Sequence, residues 1–353
     1  MTDEQLNNII GTMGLAVCQR ADRKYLWDET LNRTSYKPVA YSNSSLDYQL
    51  AYQHGHGGSW RDISLIIHWN NKPIALWPLS FSIKGEQAML TSHGLPVLPP
   101  IFIADCPAIS RKRITKACLD LANAISVAAK LNTWASGESF INLLGMSDWH
   151  VESMKRDAIC NLRHELYLDL RQNISEIKRN FRTSYKSLIT SGSRMWIIGV
   201  LDSSGKEGVW QEFRELHLKV SGRVTRSDET WAMQLHDIEQ RRAFLIWLRN
   251  GSGEMVGGGL FSFTSDEGTY AVGAYNRSLF DKPLGHVVQY KAIEELRKRG
   301  VLWYNLGARF FRTEDPIPTD KEISISEFKQ GFSSHFFPHY RMTHQVSEYV
   351  NLP

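Results

Sequence analysis

Two apolar runs, Ile63–Ile67 and Ile74–Leu79, flank Trp69-Asn70-Asn71-Lys72-Pro73 in the first third of the chain. Asn-Asn followed by Lys-Pro is turn chemistry, so the pattern predicts a β-hairpin. Strand, polar turn and strand recur at Phe244–Trp247 and Met255–Phe263 around Arg249-Asn250-Gly251-Ser252-Gly253, as if one unit were repeated along the chain. Between the hairpins, Ile114, Ala117, Cys118, Leu121, Ile125 and Ala128 recur at helical spacing. They predict an amphipathic helix over Ser110–Lys130 with Ser110 as its N-cap. His164–Leu170 alternates as a strand, and a helix capped by Ser175 is expected to run through Phe181 toward Ile189.

Further along, helices are expected over Glu207–Val220, from Asp228 after the N-cap Ser227, and over Pro283–Arg299, where Gly300 supplies the terminating glycine. A glycine-rich strand (Gly257, Gly258, Gly259, then Leu260–Phe263) precedes an aromatic strand (Tyr270–Tyr275), and a short strand follows at Trp303–Leu306. Glu322–Phe332 alternates with period two and reads as a terminal strand, with Glu322 and Glu327 facing opposite sides. Hairpins interleaved with helices predict an α/β fold with α+β layering, each sheet mixed and mostly antiparallel. The domains are expected at 1–161 and 162–353.

The 353 residues, 42% hydrophobic and 22% charged, suit a globular chain of two domains. A net charge of +4 without like-charge runs suits phosphate-bearing substrates and makes nucleic acid an unlikely partner. Cys18, Cys106, Cys118 and Cys160 are scattered without a C-x-x-C pair, which argues against zinc and disulfides and for a reducing cytoplasm. His54 and His56 have no third ligand spaced nearby, so no metal is expected. The polar, acidic start is unlike a secretory signal, and no segment approaches the ~20 apolar residues of a membrane span. Neither G-x-G-x-x-G nor G-x-x-x-x-G-K occurs, which leaves dinucleotide and P-loop readings without support.

Leu168-Asp169-Leu170 before a basic helix, Val256-Gly257-Gly258-Gly259, Tyr275, Gly285, Tyr304-Asn305-Leu306-Gly307 and Glu327-Phe328-Lys329-Gln330-Gly331-Phe332 stand in the order seen in the FemAB-like branch of the GNAT acyltransferases. The chain resembles that family over its second half and more faintly over its first. The resemblance implies two tandem GNAT-like domains, the first degenerate and the second carrying a donor groove. It also implies transfer of an acyl or aminoacyl group to an amine, on an amino sugar, a nucleotide-sugar or a cell-envelope precursor. The long charged helical hairpin of the tRNA-dependent Fem enzymes is missing. Acyl-CoA is therefore the expected co-substrate ahead of aminoacyl-tRNA, with no permanently bound cofactor. The alternative is a GNAT-fold binding or scaffold protein without chemistry, since Asp281–His286 keeps only one glycine of the family's phosphate loop.

Candidate residues follow from both routes. Gly285 before a helix would free backbone N–H groups for a phosphate or an oxyanion, or else merely shape a tight turn. His286, Tyr275 and Gln289 complete the expected donor groove, with His286 also a candidate proton shuttle. Lys329, matching the family's F-K-x-G-F lysine, would stabilise the charge on the reacting oxygen, and Glu327 is a candidate base. Arg223, Thr225 and Arg226, followed by Trp231, form a two-arginine loop suited to clamping a carboxylate or phosphate. Arg309 would add a contact, and Trp60 would stack a sugar or base. Lys178, Arg179, Arg182 and Lys186 read as a solvated face, with RNA contact a minor alternative whose mark would be steep salt dependence.

Overall fold

Asn70 and Asn71 both take left-handed backbone angles, φ 49° and 60°. Asparagine tolerates that region, and two such residues in succession make a turn whose twist matches the flanking strands. In the computed structural model this hairpin belongs to the first of two compact units, residues 1–163 with 338–353; the second is residues 164–337. The structure describes residues 2–85, 87–138, 147–203 and 207–347.

The first unit contains α1 (Asp3–Gly11), β1 (Ala16–Gln19), α2 (Lys24–Asn32), α3 (Asn43–Gly55), β2 (Ser59–Asp62), β3 (Leu65–Trp69), β4 (Lys72–Trp77), β5 (Ser80–Lys84), β6 (Gln87–Thr91), β7 (Ile101–Phe102), α4 (Ala108–Ala128), β8 (Thr133–Glu138) and α5 (Asp148–Met154). Its sheets run β1-β3-β4-β7 and β2-β5-β6. Leu65, Ile67 and Trp77 pack on Ile114, Cys118, Leu121 and Ile125 of α4. That helix starts at Ala108 behind Pro107, whose ring presets the entering φ. Ser110 is therefore buried within the helix instead of capping it.

The chain enters the second unit within β9 (Ile159–Asp169) and continues through α6 (Ile174–Asn180), α7 (Thr183–Met195), β10 (Ile197–Leu201), α8 (Glu207–Ser221), α9 (Asp228–Glu239), β11 (Ala243–Arg249), β12 (Met255–Phe263), β13 (Glu267–Tyr275), α10 (Leu284–Lys298), β14 (Trp303–Arg309), α11 (Asp320–Gln330) and the start of β15 (His335–Gln345). Its strands are ordered β10-β11-β12-β13-β14-β9. The antiparallel succession β10-β11-β12-β13 has the same sense as β1-β3-β4-β7, which is the repetition that the two hairpins predict. The last strand differs from expectation. β15 pairs with β8, Tyr340 opposite Glu138, so residues from 338 onward return to the first unit instead of completing 162–353.

Two helical expectations change. Asn173, not Ser175, caps α6 by accepting from the Glu176 N–H. The helix then breaks at Phe181 and Arg182, whose extended ψ values of 157° and 133° let the Arg182 N–H donate to the Gly331 carbonyl. Glu322–Phe332 is helical, not extended. Thr319 and Glu322 form a reciprocal capping box at the start of α11, which satisfies two otherwise orphaned N–H groups.

On α10, Leu284, Val287, Val288, Ala292, Ile293 and Leu296 are all buried, a stripe at i, i+3, i+4 spacing that docks the helix on the sheet. Each such side chain contributes about 1.5–3 kcal/mol on burial. The glycines of β12 permit the close approach. A side chain at Gly258 would meet the Phe213 ring of α8 at 3.0 Å, and one at Gly259 would meet Tyr270 and Val288, both at 2.9 Å. Gly259→Ala should therefore lower stability by about 1–3 kcal/mol, read as a fall in the urea midpoint. Gly251→Ala, in the β11–β12 turn with nothing within 4 Å, should shift it by less than about 0.5 kcal/mol. Equal midpoints would contradict this packing.

Candidate active site

β13 and β14 run parallel but pair over only three residues, Glu267–Thr269 against Trp303–Asn305. Each strand carries an irregularity where the pairing stops. The register of β12 with β13 skips Ala271, and that of β14 with β9 skips Leu306. An extra residue bends its strand and increases its twist. With one on each side, the strands part and leave a gap between Tyr270–Tyr275 and Leu306–Arg309. The bulge on β14 is completed by Gly307 at φ +92°, a conformation that strains any L side chain. The Asn305 carboxamide holds it by accepting from the Gly307 N–H at 2.8 Å.

Lys329 lies against this glycine. Its Nζ is 3.2 Å from where a Cβ on residue 307 would sit, so glycine leaves the ammonium its place. Lys329 is only partly exposed, and burial lowers its pKa. Among the described residues no carboxylate pairs with it. A desolvated cation without a counter-charge is unfavourable until an anion or a developing oxyanion arrives.

α11 is seated by its neighbours. Arg309, 8% exposed, donates from Nε to Gln330 Oε1 at 2.7 Å and from Nη1 to Ser326 Oγ at 3.2 Å, and pairs with Glu327 at 3.3 Å. Both charged candidates are thus used internally: Arg309 is buried as a clasp and does not offer a substrate contact, and Glu327 is its counter-ion. Glu322 lies on the capping box of the same helix. Next to Lys329, the Phe328 ring is 3.1 Å from the Cβ position of Gly285 and packs edge-on to His286, with centroids 5.0 Å apart. Phe328, the neighbour of Lys329 in sequence, therefore seats the end of α11 against Gly285 and His286 at the start of α10, while the Lys329 ammonium itself lies at Gly307.

His286 also packs edge-on to Tyr185 of α7 at 4.5 Å. Burial, aided by the Arg182 charge, lowers its pKa to about 4. The imidazole is neutral at physiological pH and is a weak base toward an ammonium ion. Tyr275 bonds to Tyr270 through their hydroxyls at 3.1 Å and packs on Gly257. Gln289 is buried, accepting from the Tyr304 hydroxyl at 2.5 Å, so it braces the core. α10 starts behind Pro283 with no side-chain cap; the Leu284 N–H donates to the Lys282 carbonyl at 2.9 Å, and the next N–H groups of the first turn are left for an anion.

The other face of the sheet carries α8 and α9. Leu260 and Val272 pack there with Trp210, Phe213 and Trp231, and the registers put Thr269, Asn305 and Tyr167 on that face too. Four residues missed from sequence meet on it. The Tyr167 hydroxyl lies 3.4 Å from Glu165 Oε2 and 3.3 Å from Glu267 Oε1. Asn305 Nδ2 donates to the Tyr167 oxygen at 2.9 Å and approaches Glu267 at 3.4 Å. Burial, together with the neighbouring Glu267 charge, pushes the Glu165 carboxyl up to about 8 against the opposing Tyr167 bond.

The predicted arginine loop lies between α8 and α9. Arg223, Thr225, Arg226 and Trp231 line a cavity of about 200 Å³ together with Arg214, His217 and Asp228. Arg226 stands over the Trp231 ring at 5.4 Å and bonds to His217 Nε2 at 3.1 Å. Trp60 is elsewhere, on β2 of the first unit. It is only 9% exposed and donates to the Gly57 carbonyl at 3.3 Å, so its ring serves packing and is not free to stack a ligand.

The Lys329 assignment has a pH signature. Because folding depresses this pKa, the unfolded chain binds more protons between the folded value and about 10.4, and stability rises with pH across that window. The difference in Tm, wild type minus Lys329→Met, should therefore grow from pH 7 toward pH 10. A difference that stays flat would show that the lysine is solvated.

No protein-family model matches the sequence, and no curated protein matches it. Solved structures do. FemX aligns with a TM-score of 0.65 at 14% identity, over 93% of this chain and 97% of FemX. L-PGS from Bacillus licheniformis aligns with 0.58 at 14% identity, over 94% and 95%. A tandem GNAT protein from the clavulanic acid biosynthesis pathway aligns with 0.50 at 13% identity, over 94% and 99%. At these identities the likeness is one of fold, and the chain has the two-domain α+β fold of FemX and the tandem GNAT proteins.

Proposed function

We propose that this protein is an N-acyltransferase that moves an acyl group from an activated carbonyl donor to an amine on an amino sugar, a nucleotide-sugar or a cell-envelope precursor. The observation that carries this reading is the partly buried Lys329 ammonium, set beside Gly307 where β13 and β14 part. An acyl carbonyl lying in that gap would gain negative charge on its oxygen as the amine attacks. A cation already fixed there lowers the barrier without reorganising. The uncapped start of α10 supports a phosphate-bearing donor. Acyl-CoA is the donor proposed, with aminoacyl-tRNA second and no permanently bound cofactor. Arg223, Thr225, Arg226 and Trp231 form the proposed acceptor pocket, with paired guanidinium groups for a carboxylate or phosphate.

Mass spectrometry of the purified protein incubated with acetyl-CoA or aminoacyl-tRNA and a panel of amino-sugar nucleotides should reveal an N-acylated product. Lys329→Ala should lower kcat by about 10²–10³-fold while the variant remains folded by circular dichroism. Transfer with no donor, or full activity in Lys329→Ala, would defeat the reading.

A further inference from the structure

The Glu165–Glu267 pair is unexplained by packing. Two carboxyl groups share one hydroxyl, that of Tyr167, and the Asn305 carboxamide bonds to that hydroxyl and to Glu267. Glu267 is 2% exposed, whereas Glu165 is only partly covered. Like charges so placed do not both ionise readily, and burial together with the Glu267 charge holds the proton on Glu165. Asn305 also anchors the Gly307 N–H. The acid pair and Lys329 therefore attach to the two ends of one three-residue segment of β14.

Resting on the N-acyltransferase reading, we propose that Glu165 and Glu267 together form the proton acceptor for the substrate amine, so that the acceptor enters as an alkylammonium ion and is deprotonated in place. The entering ammonium charge favours the ionised form of Glu165, whose carboxylate takes a proton from R–NH3⁺, and the nitrogen lone pair then attacks the carbonyl carbon of the acyl thioester. The C–N bond forms and the C–S bond breaks. The thiolate leaves with the electron pair and takes the second N–H proton, and the pair returns its proton to solvent. Glu267 raises the proton affinity of its neighbour; Tyr167 and Asn305 are positioning residues. Other titratable or charged groups on the packed elements are His164, whose ring lies against Phe311 at 5.5 Å, His335 of β15 against Trp303 at 5.3 Å, Arg309, turned toward Gln330 and Glu327, and Lys329 beyond Gly307.

Two measurements on the full chain decide it. In ¹³C-glutamate NMR, with Glu165→Gln and Glu267→Gln as assignments, one wild-type carboxyl should keep its proton until about pH 8. In Glu267→Gln the remaining carboxyl should titrate lower. Ionisation of both below about pH 5 would overturn the raised proton affinity of Glu165. In kinetics with acetyl-CoA, Glu165→Gln should lower kcat for a primary alkylamine by about 10²-fold or more. The loss for hydroxylamine, already neutral near pH 7, should be less than about tenfold. Tyr167→Phe should shift the acid limb of the pH–kcat profile with little change in KM. If the wild type transfers and Glu165→Gln transfers equally well, or loses equally for both amines, this inference alone fails. If the wild type acylates no amine, the N-acyltransferase reading fails and takes this inference with it.

Discussion

The site depends on the parting of two neighbouring strands. β13 and β14 hydrogen-bond for three residues and then separate, because each carries an extra residue at the same level. A parallel pair that continued would have consumed its backbone groups and closed the sheet. The separation instead opens a gap whose edges are main chain, and Asn305 fixes its apex by bonding to Gly307 on one side and Tyr167 on the other. What surrounds the gap follows from this apex. Lys329 occupies the space that glycine at 307 leaves open, and of the acid pair Glu267 approaches the Asn305 carboxamide.

Charge is distributed unevenly about that apex. Arg309 and Glu327 neutralise each other and so spend their charge on seating α11. Lys329, two residues further along the same helix, is left without a carboxylate among the described residues. The rings of Tyr185, Phe328 and Phe332 crowd His286, and the imidazole stays neutral as a consequence. On the opposite face, burial and the neighbouring Glu267 charge hold the Glu165 carboxyl protonated toward pH 8.

Much of this architecture was legible in the chain. The Asn70-Asn71 turn, the second hairpin, the helix ended by Gly300 and the Ser227 cap all follow from local chemistry that the tertiary structure respects. The segment Glu322–Phe332 was misread because its period-two alternation outweighed the Thr319–Glu322 capping box, which is the stronger signal at a helix start. The break at Phe181–Arg182 was invisible locally, since it is made by the distant Gly331 carbonyl. Gly285 and His286 face Phe328, the residue before Lys329, and the loop arginines line one cavity with Trp231. Arg309 and Gln289 were taken for ligand contacts because sequence cannot tell a polar group buried for support from one that faces a ligand. Glu165, Tyr167, Glu267 and Asn305 come from three strands, and only the register brings them together.

A crystal structure of the protein bound to a non-hydrolysable thioether analogue of acyl-CoA tests the central claim most directly. The account predicts the acyl oxygen in the gap between β13 and β14, within hydrogen-bonding distance of Lys329 Nζ. A sheet in which the two strands pair along their full length, or a Lys329 ammonium engaged by a carboxylate of the protein, would contradict it.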